Sequence, residues 1–217
     1  MIKYFGYGVA LACALGSSVT HASASNLENN ALGNGVLLSG GAVGDPWKFY
    51  VGNPTNWHTP VRDGSANTRS PKNVQVDFIE DAIGYNVVEA KWRSGSTGQI
   101  LWQSKRKLDL EPLATEGGAL SLVLRVDEVP TDKVTLRMDC GYPCTGSFKL
   151  GQILSAVPQK QWFHLAIPLS CFADAGTKLS KVDSPLVVIT NGSLGLSLAD
   201  VRLVTNAPES STINCST

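Results

Sequence analysis

An all-β fold of two stacked sheets is what this sequence predicts, and three observations lead there. Apolar residues alternate with polar ones over short runs instead of recurring at helical spacing. Gly, Pro, Asn and Ser clusters separate the runs, drawing on 21 Gly and 11 Pro, the punctuation of tight turns. A chain of 217 residues suits one domain of ordinary size. Alternation on a single face leaves each sheet a polar outer side, which favours a two-sheet β-sandwich over a closed barrel. No internal repeat is visible, which argues against a solenoid or propeller. The 18 basic and 18 acidic residues cancel, and the isoelectric point is near 6.8. That balance excludes broad electrostatic attraction to nucleic acid or an anionic membrane. With 43% hydrophobic residues, disorder is excluded too.

Residues 1–24 read as an export signal. Met1-Ile2-Lys3 gives a basic start, residues 4–15 are apolar and uncharged, and Ala22-Ser23-Ala24 is a small-x-small cleavage site. Cleavage is expected after Ala24, with Ala22 as second choice. The stretch is too short and too Gly-broken to span a bilayer, and no other segment is long and apolar enough. A rival reading makes Ala10-Leu11-Ala12-Cys13 a lipoprotein box that anchors Cys13, although Leu11 fits that box poorly. The expected location is therefore periplasmic or extracellular. Residues 25–44 read as a flexible lead-in with one short strand at Val36-Leu37-Leu38. The folded domain is assigned to residues 45–217.

Within that domain, Trp47 to Val51 is aromatic and β-branched and is broken by Gly52-Asn53-Pro54. Residues 59–72 are polar and Pro-containing and read as an exposed loop. Val74, Val76 and Phe78 share one face of the next strand. Further runs follow at 87–92, 100–102 and, shorter, 108–110. Leu120, Leu122, Leu124 and Val126 share a face, as do Val134, Leu136 and Met138, and residues 127–133 are expected to turn the first run into the second. The last strands are read at 162–167, 186–190, 194–198 and 201–204. Only 148–157 and 171–179 look briefly helical.

Export removes Cys13 and leaves Cys140, Cys144, Cys171 and Cys215, an even set for an oxidising compartment. Four cysteines allow three pairings. Gly141 and Pro143 let the chain curl so that Cys140 meets Cys144, which leaves Cys171 to staple the C-terminal tail through Cys215. Zinc is disfavoured, because His58 and His164 are not near a cysteine in sequence.

Catalytic signatures are missing. No Gly-x-Ser-x-Gly turn is present for a nucleophile, and Gly40-Gly41 lacks the Lys-Ser/Thr of a phosphate loop. Glu80-Asp81, Asp127-Glu128 and Asp139 supply carboxylates that a small glycoside hydrolase would need in pairs, but turns and exposed faces explain them equally. No cofactor is expected, and no Asp-rich loop motivates a structural calcium. Arg125, Asp127, Arg137 and Asp139 are expected to pair across one polar strand face.

Aromatic placement says more. A sugar site needs a flat ring for C–H faces and hydrogen-bonding groups at its edge. Trp57, with Asn53, Asn56 and His58 beside it, meets that need, as does Tyr142 with Arg137 and Asp139, held rigid by a Cys140–Cys144 bridge. Trp102 completes the candidate ligand set. Trp92 and Trp162 read as half-buried core.

Three strings carry a family resemblance. Residues 137–146 contain a CG-x-x-C-x-G turn, 162–172 read W-x-x-L-x-I-P-L-x-C-F, and 194–203 read L-x-L-S-x-x-D-x-R-L. They resemble the galactose-binding-like C-terminal module of bacterial family 3 exo-β-glucanases of the ExoP type. The family's acidic Gln-Glu-Asp-Ala-Arg-like run is replaced here by Gly84-Tyr85-Asn86-Val87-Val88. The resemblance implies a jelly-roll sandwich of the carbohydrate-binding-module kind, without catalysis, since the catalytic residues of those enzymes lie in other domains. The expectation is an exported monomer that binds a β-glucan or related polysaccharide or oligosaccharide. Two alternatives stand beside it, docking onto a glycoside hydrolase or surface assembly, and a small hydrolase using two carboxylates.

Overall fold

The computed structural model describes residues 35–82 and 84–215. The export signal, Cys13 and the first part of the lead-in lie outside them. In chain order the elements are β1 (Val36–Ser39), β2 (Ala42–Val43), β3 (Lys48–Asn53), β4 (Asn56–Pro60), β5 (Ser65–Asn67), β6 (Val74–Glu80), β7 (Asn86–Trp92) and β8 (Gly98–Gln103). Then come α1 (Glu111–Thr115), β9 (Ala119–Glu128), β10 (Val134–Asp139), β11 (Thr145–Lys149), α2 (Gly151–Ala156), β12 (Trp162–Pro168), α3 (Leu169–Asp174), β13 (Ser184–Thr190) and β14 (Leu194–Val204). The strands form two sheets, so the sandwich read from the sequence is the fold. The first sheet runs β12-β9-β14-β7-β6-β5, with β1 added to β14 and β2 to β1. The second runs β11-β10-β13-β8-β3-β4.

Alternation decides which side of each strand enters the core. Phe49, Val51, Ile100, Trp102, Leu136, Leu186 and Val188 face inward from the second sheet; Val74, Val76, Ala90, Trp92, Leu122 and Leu124 are among their buried counterparts on the first. Phe49 stacks on Trp102 with ring centroids 4.0 Å apart and meets Phe78 of the other sheet edge-on at 6.1 Å. Burying each such ring contributes about 1.5–3 kcal/mol. Both disulfides are those read from the sequence, Cys140–Cys144 and Cys171–Cys215. The second brings the C-terminal tail onto the outermost strand of the first sheet, where Ile213 N–H donates to Ala166 O at 3.0 Å. That cover blunts an otherwise open sheet edge.

Several local readings are corrected. Residues 120–126 and 134–138 are not a hairpin, because β9 lies in one sheet and β10 in the other. Alternation marks a strand's buried side and carries no record of its partner. The short strand read in the lead-in is present as β1, which pairs β14 with Leu38 opposite Val201, so the folded body begins before residue 45. Residues 59–72 are not all loop, since β4 extends to Pro60 and β5 pairs β6. Residues 145–149 are strand, in register with β10, and the helix begins only at Gly151. The strand read at 108–110 reduces to one bridge between Leu108 and Val182, and helix α1 follows with Pro112 in its first turn, a position that tolerates a missing N–H.

Candidate functional site

Cross-strand register places one continuous row of side chains on the outward face of the second sheet. Ser147 lies opposite Arg137, Arg137 opposite Val187, Val187 opposite Leu101, Leu101 opposite Tyr50, and Tyr50 opposite Pro60. A parallel row runs through Lys149, Thr135, Ile189, Gln99 and Gly52, and Gln103 sits across from Lys48. Outward-facing residues of a sandwich are ordinarily solvated, yet Leu101 is 2% exposed and Val187 0%. The centre of the face is thus apolar and covered by its neighbours, Gln99 is buried beside it, and Tyr50, Gln103 and Arg137 stand half-exposed around it.

Local structure sets each rim group. Tyr50 meets the His58 ring edge-on at 5.7 Å. A bulge between β3 and β4 leans the Trp57 backbone over the face, where its carbonyl accepts from Gln99 Nε2 at 3.2 Å. Gly52 makes that approach possible; a Cβ there would lie 2.8 Å from the Trp57 Cα. Arg137 and Asp139, two apart and so on one side of β10, pair through Nε–Oδ1 at 2.7 Å and Nη2–Oδ2 at 2.9 Å. Beyond them the Cys140–Cys144 loop closes with Cys140 N–H donating to Cys144 O at 2.9 Å.

The residues picked from the sequence divide into two groups. Arg137 and Asp139 belong to the face, and Tyr142 projects beside them at the loop tip, 99% exposed. Asn56 and Trp57 lie on β4, an outermost strand and not a loop, at the other end of the sheet. Trp57 is 37% exposed. Four inter-strand spacings of about 4.8 Å separate β10 from β4, so the groups are about 19 Å apart across the sheet. Trp102 is a correction. It is 0% exposed and faces the core, because its neighbour Leu101 takes the outward position. Asn53 is a correction as well. It is fully buried, its Nδ2 donating to Arg69 O at 2.7 Å and Pro71 O at 2.8 Å, while its Oδ1 accepts from Thr55 N at 3.0 Å and Asn56 N at 3.2 Å. It holds the β3–β4 turn and contacts no solvent. Tyr50, Gln99 and Gln103 went unselected in the sequence, although alternation with Phe49, Val51 and Trp102 already put them on the outer side.

The remaining polar groups are arranged for structure. Arg125 and Asp127 pair on the first sheet, at 2.6 Å, with the Arg125 guanidinium 4.9 Å from the Trp162 ring centre. They pair within a strand, as Arg137 and Asp139 do, and not across a shared face. Asp127 and Asp139 therefore occupy different sheets and cannot act as one carboxylate pair. His164 Nε2 lies 2.6 Å from Ser121 Oγ across β12 and β9. Burial pushes the Asp183 carboxyl above its ordinary range, against a hydrogen bond from Ser184 and the attraction of Lys107. Among the described residues, no group of three or more His, Cys, Asp or Glu side chains is placed to hold a metal ion, and no helix is long and apolar enough to cross a membrane.

Comparison with solved structures places this geometry among known folds. The extra C-terminal domain of exo-1,3/1,4-β-glucanase ExoP from a Pseudoalteromonas species superposes with a TM-score of 0.67 at 18% identity, covering 84% of this chain and 99% of that one. The whole ExoP enzyme gives 0.66 at 18% identity, with 82% of this chain matched to 21% of that chain. A family 30 carbohydrate-binding module from a cellulosomal cellulase of Clostridium thermocellum gives 0.54 at 15% identity, covering 80% and 98%. A search of curated proteins finds no match. The model of the ExoP C-terminal family, described as galactose-binding domain-like, matches residues 45–203. With that match over most of its length, and with the two-sheet sandwich it calls for, the chain belongs to the ExoP C-terminal, galactose-binding domain-like family.

Proposed function

We propose that the chain is an exported, non-catalytic carbohydrate-binding module that takes a β-glucan or related polysaccharide along the outward face of its second sheet. The observation that carries this reading is the half-exposed outward row in which Tyr50 and Gln103 at one side and the Arg137–Asp139 pair at the other flank the covered centre of Leu101 and Val187. Apolar C–H faces of sugar rings suit the Tyr50 ring, and hydroxyls suit the Gln103 amide and the Arg137–Asp139 pair. Likeness to a carbohydrate-binding module supports it, and two disulfides support an oxidising compartment such as the periplasm or the cell exterior. A shallow face buries little area, so affinity is weak. Affinity electrophoresis against a polysaccharide panel tests the reading. Retardation by a β-glucan is expected, lost in Tyr50→Ala and in Arg137→Ala while both variants keep the parent melting temperature. Trp57→Ala and Tyr142→Ala report whether the two corners extend the site. No retardation by any polysaccharide would discard the reading.

A second reading is docking onto a glycoside hydrolase. It is favoured by the match to the whole ExoP enzyme, in which the like domain is joined to the rest of a much longer chain. Co-sedimentation with a family 3 exo-β-glucanase that survives Arg137→Ala would support docking over sugar binding.

A further inference from the structure

One corner of the outward face is built differently from the rest. A cleft of about 740 Å³ opens where β3 and β4 approach the other sheet, lined by Trp47, Lys48, Tyr50, His58, Arg62 and Phe78 among others. That volume lies within the usual range for a small-ligand pocket. The β3–β4 register continues past Tyr50–Pro60, since Val61 N–H donates to Phe49 O at 3.0 Å. Lys48 and Arg62 therefore stand opposite one another. Like charges directly opposed across two strands destabilise a sheet, and among the described residues neither side chain has an ion-pair partner. Arg62 is also held in place. The Asp63-Gly64 turn, with φ of 51° and 77°, bridges Arg62 to Ser65, and Phe78 N–H donates to Gly64 O at 2.7 Å. Positive φ at both central residues is the tight hairpin turn that Asp-Gly favours.

The hydrogen-bonding inventory is one-sided. Lys48 and Arg62 donate and cannot accept, Tyr50 and His58 can do either, and no carboxylate or amide side chain lines the cleft, so donors and positive charge predominate. A neutral sugar presents hydroxyls that need acceptors as well as donors. An anionic group, which only accepts, matches the two opposed cations and relieves the Lys48–Arg62 repulsion. From these features we infer that the cleft is a subsite for an acidic saccharide, with a carboxylate or sulfate held by Lys48 and Arg62 and the ring beside Tyr50. The inference rests on the carbohydrate-binding reading and names the ligand class at one end of that face.

Isothermal titration calorimetry on the oxidised protein tests it, with tetragalacturonate and a sulfated galactan tetrasaccharide as acidic probes and cellotetraose as neutral control. At least one acidic probe is expected to bind, to weaken as salt is raised, and to lose tenfold or more in affinity in Lys48→Gln/Arg62→Gln. Both substitutions are at exposed positions, and an unchanged melting temperature verifies the fold. If both acidic probes bind and lose affinity in the variant, the site reads charge alone; if one does, it reads that group. No acidic binding, or binding indifferent to the double substitution, would overturn the inference. Cellotetraose binding that is lost in Arg137→Ala and kept in the double variant leaves the broader reading standing in that case. Silence with all three probes overturns the inference and leaves the broader reading to the polysaccharide panel.

Discussion

At the scale of single residues, the buried Asn53 and the half-buried Asp183 make opposite contributions. Asn53 uses both ends of its amide to join the β3–β4 turn to residues 69–73. Asn53→Ala removes these part-buried bonds from a fully buried position, with Pro71 O still accepting from Asn73 N–H, and we expect a loss of about 2 kcal/mol, measured by urea unfolding. Asp183 works the other way. Its carboxyl is raised above the ordinary 3.8 by burial, so the folded state holds the proton more tightly than the unfolded chain. Stability from this group is complete below the ordinary value and is lost as pH climbs through the raised one. Asp183→Asn should therefore raise the melting temperature at neutral pH, and the gain should vanish in acid. A lower melting temperature at neutral pH would show instead that the charged oxygen is needed by Ser184 or by the Gly141 N–H.

At the scale of elements, the two disulfides do different work. Cys171–Cys215 closes a loop with a sequence separation of 44 and lays the tail along β12. Loop-closure entropy predicts that replacing both cysteines by serine costs about 3–4 kcal/mol, visible as a lower urea midpoint. Faster hydrogen exchange in β12 than in β14 should accompany it, because the tail covers only the outermost strand. Cys140–Cys144 spans a separation of 4 and adds little chain entropy; its effect is to stiffen the tip that carries Tyr142. Paired charges follow the same element logic. Glu89–Lys91, Arg125–Asp127, Arg137–Asp139 and Asp200–Arg202 each stand two residues apart, which puts both partners on one strand side, and the cost of burying charge makes that the outward side.

At the scale of the whole molecule, the two sheets share one core through Phe49, Trp102 and Phe78. Thermal unfolding of the oxidised protein should be a single transition, with far-UV circular dichroism and tryptophan fluorescence coincident; two separated midpoints would mean the sheets fold independently. How much of this was legible beforehand depends on the range of the physics involved. Period-two alternation is local, so the strands, the sandwich class and the outward position of Arg137 and Asp139 could be read along the chain. The Gly and Pro between Cys140 and Cys144 are local as well, and the remaining pair of bridging cysteines followed by count. Strand partnership is not local. Which sheet receives β10, whether Trp102 meets solvent or Phe49, and whether Trp57 lies near Tyr142 all depend on contacts between distant segments. The sequence alone determined a disulfide-bonded β-sandwich and its polar sides. Only the tertiary structure decided that Tyr50, Leu101, Val187 and Arg137 form one row, and that Lys48 confronts Arg62, because pairing between strands is settled by packing of the whole core and not by the pattern within any one of them.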